Sequence, residues 1–102
     1  MIKDTMISKQ GMDELEHLAY LIADINYLKE RYTAEEAAIE REETHKNIIH
    51  TFGTLDHEGV PFWLQNAVIA SYEDWRTSKR KYFKQIIEEI ADRYKVKIAV
   101  MA

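Results

Sequence analysis

The apolar positions of this chain fall into helical registers with one clear interruption. From Met12, Leu15, Leu18, Ile22 and Ile25 recur at helical spacing, with Leu21 and Leu28 flanking the stripe. Asp13, Glu14 and Glu16 near its start suit the positive end of a helix dipole. Residues 34–52 continue the face through Ala34, Ala38, His45, Ile48 and Phe52. At "YTAEE", Thr33 and Glu36 have the spacing of a capping box, which would start a second helix. No Gly, Pro or Asn is present there to reverse the chain, so a continuous or kinked helix is favoured over a tight hairpin.

The stretch "FGTLDHEGVPF" ends this pattern. Gly53 is placed to cap the helix, and Gly59 and Pro61 supply the turn. From Phe62 to Tyr94 the apolar positions return at Leu64, Val68, Tyr72, Trp75, Tyr82, Phe83, Ile86, Ile87, Ile90 and Tyr94. They read as a second long helix, about 50 Å if unbroken. The tail "KVKIAVMA" alternates, with Val96, Ile98 and Val100 on one side, a weak strand signal that needs a partner. Residues 1–10 read as an N-terminal arm, because Ile2, Met6 and Ile7 do not define a strand.

The expected fold is therefore all-α. It is an antiparallel hairpin of two long helices, the first kinked or broken near Thr33, with an inter-helix loop over 53–61. A turn at Thr33 would give a three-helix bundle instead. Two lone helices enclose little core, and Trp63, Trp75 and the tyrosines would stay exposed. Self-association of two hairpins into a helical bundle is the expectation that follows.

Composition narrows the reading. With 102 residues the chain forms one domain, 1–102, of modest core. Its 3 glycines and 1 proline disfavour a turn-rich β fold. The absence of cysteine excludes disulfides, Cys-zinc sites and thiol catalysis. A net charge of −4 argues against general nucleic-acid binding, though a local basic patch could still bind. The early apolar stretch "LAYLIADINYL" is interrupted by Asp24 and has acidic flanks, so it does not read as an export signal. Nothing approaches the roughly 20 apolar residues of a membrane span. A cytoplasmic location is expected, in a host cytoplasm if the chain is phage-encoded.

Four groups of residues could carry chemistry. The first is a repeated E-x-x-H, Glu14/His17 in "ELEH" and Glu42/His45 in "EETH". Residues three apart on a helix point to one side, so a carboxylate and an imidazole can reach one ion. These eight residues resemble the element that ferritin-like bundles repeat around two metal ions, which implies two further carboxylates. Only Glu73, Asp74, Glu88, Glu89 and Asp92 are on offer, beside Arg76, Arg80 and Lys84. Acid-rich helix surface, with His45 at the edge of the seam, explains the residues better, and no metal or other cofactor is assigned.

The second group is "EDWRTSKRKYFKQ". Arg76, Arg80 and Lys84 lie four apart in a stripe flanked by Lys79 and Lys81, with Tyr72, Trp75, Tyr82 and Phe83 interleaved. Such a stripe can bind phosphates, and its aromatics can stack on bases. It fits an acidic partner protein equally well. Folding the chain about the loop near His57 would instead set Lys79 and Arg80 against Glu35 and Glu36.

Third, Asp56, His57 and Glu58 share a loop with Phe62 and Trp63, and a general base there is imaginable. No nucleophile accompanies it, and ordinary turn chemistry explains Asp, Gly and Pro. An aromatic pair at a hairpin tip reads better as a docking knob. Fourth, "EEIAD" is similar to the E-x-x-D half of helical nucleotide pyrophosphatases. The other half is unmatched, since "EEAAIE" places Glu40 one residue late, and that family is not carried over.

Taken together, these features predict a non-enzymatic helical interaction module that works as a homodimer and binds another protein that has an acidic or apolar surface. Small inhibitors and regulators from phages and mobile elements have this size and character. The expected contacts are Trp63, Trp75, Arg76, Lys79, Arg80, Lys81 and Lys84. Nucleic-acid binding through residues 76–84 is the alternative, and a carboxylate–histidine metal protein the second.

Overall fold

The computed structural model describes residues 4–75 and 82–101, with the backbone alone described for 72–75. Along the described residues the order is β1 (Thr5–Ile7), α1 (Lys9–Arg31), α2 (Ala38–His57), α3 (Phe62–Trp75), α4 (Phe83–Tyr94) and β2 (Ile98–Val100). The expectation of a mostly helical fold holds, and so does the short C-terminal strand. The first expected long helix is broken near Thr33, one of the outcomes expected there, and the second is divided as well.

The first division falls at the expected capping box, but α2 does not start there: it begins at Ala38, behind Ala37, which makes no side-chain cap bond. Tyr32 is extended, with φ −133° and ψ 150°. The Thr33 N–H donates to Glu36 Oε1 at 2.9 Å, and the Glu36 N–H donates to Thr33 Oγ1 at 3.2 Å. These reciprocal bonds satisfy donors that the broken helix would leave free. Residues 32–37 give the chain room to reverse without a tight turn, so neither Gly nor Pro is needed. The hairpin is therefore formed by α1 and α2, and its turn lies at 32–37 rather than near His57. At its other end the Ser8 hydroxyl donates to Glu58 Oε1 at 3.0 Å, and Gly11 lies against Ile7 and Val60. Contact at both ends makes the two helices antiparallel.

The second division is at Tyr82, whose φ −76° and ψ 152° take it out of helical geometry. Its N–H donates to the Gln85 side chain at 3.1 Å, which offsets the lost helical bond.

Helix ends were also displaced from expectation. Ser8 caps α1, its Oγ accepting from the Gly11 N–H at 3.0 Å, so the helix begins at Lys9 and not at Met12. Gly53 lies within α2, which runs on to His57. The residue that ends α2 is Gly59, with φ 73°. The Val60 N–H donates to the Leu55 carbonyl at 3.0 Å and the Gly59 N–H to that of Asp56 at 3.1 Å. That is a Schellman closure, with Val60 and Leu55 both buried beside it. α4 ends the same way, except that Lys95 occupies the left-handed position at φ 56° and ψ 47°.

The core gathers the inner faces of all four helices. Leu15, Leu18, Leu55, Leu64, Ile86 and Ile90 are fully enclosed. The main packing pairs are α1 with α2, α1 with α3, and α3 with α4. On α2 the buried positions are Ile48, Thr51 and Leu55. His45 is exposed, one position off that stripe, and is not a seam residue.

The two chain ends close the fold. β1 and β2 pair in parallel, with Thr5 opposite Ile98 and Ile7 opposite Val100. Residues 1–10 are thus more than an arm: they supply the strand that the C-terminal alternation required. The Thr5 N–H donates to the Lys97 carbonyl at 2.8 Å, and the Met101 N–H to that of Ile7 at 2.7 Å.

Candidate functional site

The residues expected to carry function are dispersed by this topology. Trp63 is half-buried and packs at a tilt of 48° against Tyr94, with ring centroids 5.0 Å apart, so it ties α3 to α4. The aromatic that projects from that corner is Phe62, 71% exposed. Lys84 is exposed on α4. Arg76, Lys79, Arg80, Lys81 and the Trp75 side chain lie outside the described residues, as does any pairing of Lys79 and Arg80 with Glu35 and Glu36.

The two E-x-x-H elements are separated. The hairpin register places Glu14 and His17 near the end of α2, and Glu42 and His45 near the end of α1. The helical rise makes that a separation of about 15 Å along the hairpin. Glu42 instead lies 3.4 Å from Lys46 in an exposed i,i+4 pair. Among the described residues, no group of three or more His, Asp or Glu side chains is placed to share a metal ion.

Asp56, His57 and Glu58 do not share a loop: the first two lie in the last turn of α2 and Glu58 follows it, and Asp56 and Glu58 have structural partners. Asp56 Oδ1 accepts from Gln65 Nε2 at 3.1 Å, and the same nitrogen donates to the Val60 carbonyl at 3.1 Å. Gln65 is 1% exposed, so both amide hydrogens are used where water cannot reach. With Glu58 held by Ser8, this corner joins α1, α2 and α3. The Thr33 backbone N–H, and then its hydroxyl, hold the Glu36 carboxyl below its ordinary value.

What the structure assembles is a groove of about 590 Å³ between α1, α4 and β2. Met12, Phe83, Ile87 and Ile98 give it an apolar floor. Its rim carries Tyr20 and Tyr82, which are 55% and 82% exposed, so the groove is open. Glu16, Lys84 and Glu88 add charges of both signs. α1 and α4 are not among the main packing pairs, and the space left between them is this groove.

β2 forms one wall. In a parallel ladder each residue directs its N–H and C=O to one side. The bonds from Thr5 to Lys97 and from Met101 to Ile7 fix the alternation. Ala99 faces β1, so the N–H and C=O groups of Ile98 and Val100 face away from it. Among the described residues nothing pairs with that edge. Ile98 and Val100 line the groove while Thr5 and Ile7 do not, so the free edge is on the groove side. Of this site, the sequence marks Lys84 as an expected contact, Tyr82 and Phe83 as aromatics of the basic stripe, and Glu88 among the spare carboxylates. Tyr82 and the alternation at 98–100 were the available signals, but neither names a groove without the topology.

The chain matches no family model, no curated relative and no solved structure. No helix among the described residues is long and apolar enough to cross a membrane.

Proposed function

We propose that this chain is a non-enzymatic protein–protein interaction module whose docking surface is the groove between α1, α4 and β2. One observation carries the reading: an open apolar floor lies directly beside an unpaired strand edge. An extended polypeptide laid along that edge would bond to the Ile98 and Val100 backbone while its side chains enter the groove. Strand addition of this kind uses main-chain bonds for affinity and alternate side chains for specificity. The groove's few polar side chains belong to a binding surface more than to a reaction centre. A module of this size acts by covering or bridging a partner's surface, as a small inhibitor or regulator would.

The test is the substitution Ile87→Glu, which places a charge on the floor at a half-buried position. Association is followed in two ways: molecular mass against concentration, and selection of extended peptides from a display library. Loss of association on Ile87→Glu, with thermal stability kept, supports the proposal. No association in either assay, or association indifferent to Ile87→Glu, overturns it.

A further inference from the structure

We infer that the segment occupying this groove is β2 of a second copy of the chain. The inference rests on the groove being the docking surface proposed above, and it names the occupant.

Three observations favour self-pairing. First, the free edge of β2 is self-complementary. A two-fold axis at Ala99 sets β2 antiparallel to its copy, with Ile98 opposite the copy's Val100. The outward N–H and C=O groups then satisfy one another as hydrogen-bonded pairs. The result is one sheet in the order β1–β2–β2–β1, with no free edge at its centre.

Second, the side chains agree with that register. Ile98 and Val100 point to the helix side of the sheet, and Val100 is 47% exposed. Pairing sets the aliphatic Ile98 against the copy's aliphatic Val100 on that face, a favourable cross-strand contact. The same axis turns the grooves toward each other and covers Tyr20 and Tyr82, 55% and 82% exposed. An isologous contact of this kind closes as a dimer.

Third, the rim holds both signs of charge. A rim of one sign would repel its own copy. Here Lys84 stands among Glu16 and Glu88, and the described residues show no ion pair at any of the three. Two facing rims can match unlike charges.

The experiment is sedimentation equilibrium of the full chain from micromolar to millimolar concentration, with edge variants. Val100→Pro removes the outward N–H but leaves every bond to β1, because Pro is tolerated where its nitrogen faces out of the sheet. Two bonds vanish per dimer, so the dissociation constant should rise about thirtyfold. Val100→Lys is the second variant, since its charge would meet the copy's Ile98. Met6→Pro is the control, as the Met6 N–H faces the opposite outer edge, and dimerisation should be unchanged. Circular dichroism confirms that each variant stays folded.

A dimer insensitive to both Val100 variants, or equally weakened by Met6→Pro, overturns the inference. A monomer that nonetheless selects groove-binding peptides also overturns it while the interaction module stands. A monomer that selects none ends both.

Discussion

The two Schellman closures offer a matched test of backbone strain. The same motif ends α2 with Gly59 at φ 73° and α4 with Lys95 at φ 56°. A Cβ built on Gly59 meets nothing within 4 Å, so Gly59→Ala changes conformation energy and no contact. A left-handed residue with a Cβ costs about 1–2 kcal/mol. Restricting the unfolded chain returns about 0.4–1 kcal/mol. Gly59→Ala should therefore destabilise by about 1 kcal/mol.

At Lys95 the sign reverses. Lys95→Ala keeps the Cβ and removes the charge near the helix C-terminus, and Lys95→Gly removes both. Their difference isolates the strain, and Lys95→Gly should be the more stable of the pair by about 1 kcal/mol. Urea unfolding measures both, with unchanged denaturant slopes showing that the unfolded ensemble is comparable. In thermal unfolding, a change of about 1 kcal/mol moves the midpoint by about 4–8 °C for a domain of this size. Unaltered stability in Gly59→Ala, or Lys95→Gly no more stable than Lys95→Ala, would refute the reasoning.

Two further predictions concern packing and titration. At Gly11 a Cβ would lie 3.0 Å from both Ile7 Cγ2 and Val60 Cγ2, branched side chains that are themselves buried. Gly11→Ala should destabilise by about 1 kcal/mol, because overpacking exceeds the gain in helix propensity; a more stable variant in urea would contradict it. Glu36 has its folded acidity moved below the ordinary carboxylate value by Thr33. The resulting stabilisation is present above that ordinary value and is lost as pH falls through the lower, folded one. The Thr33 amide resonance should report this titration by NMR, and a midpoint at or above the ordinary glutamate value would refute the assignment.

Much of the fold was legible in the chain because helical periodicity is a local property. Leu15, Leu18, Ile25, Leu64, Val68, Ile86 and Ile90 were read as inward-facing, and all are buried. The capping box at Thr33 and Glu36 was visible too, but its consequence was misjudged. The lack of Gly or Pro counted against a reversal, whereas reciprocal hydrogen bonds made one affordable in the connection 32–37. The break at Tyr82 carried no signal, since Tyr82 sits on the same apolar period as its neighbours.

The basic stripe and the paired E-x-x-H drew notice because charged motifs are easy to see along a sequence. The groove did not, because its walls come from residues 12–20, 82–88 and 98–100. The sequence by itself determined the helical class, most of the core positions, and the alternation of the C-terminal segment. Only the tertiary structure decided that α1 folds back on α2, that the two chain ends pair, and that a strand edge beside an apolar groove remains open. The physical reason is range. Periodicity and capping act between residues a few positions apart, while strand partners and grooves depend on contacts across almost the whole chain.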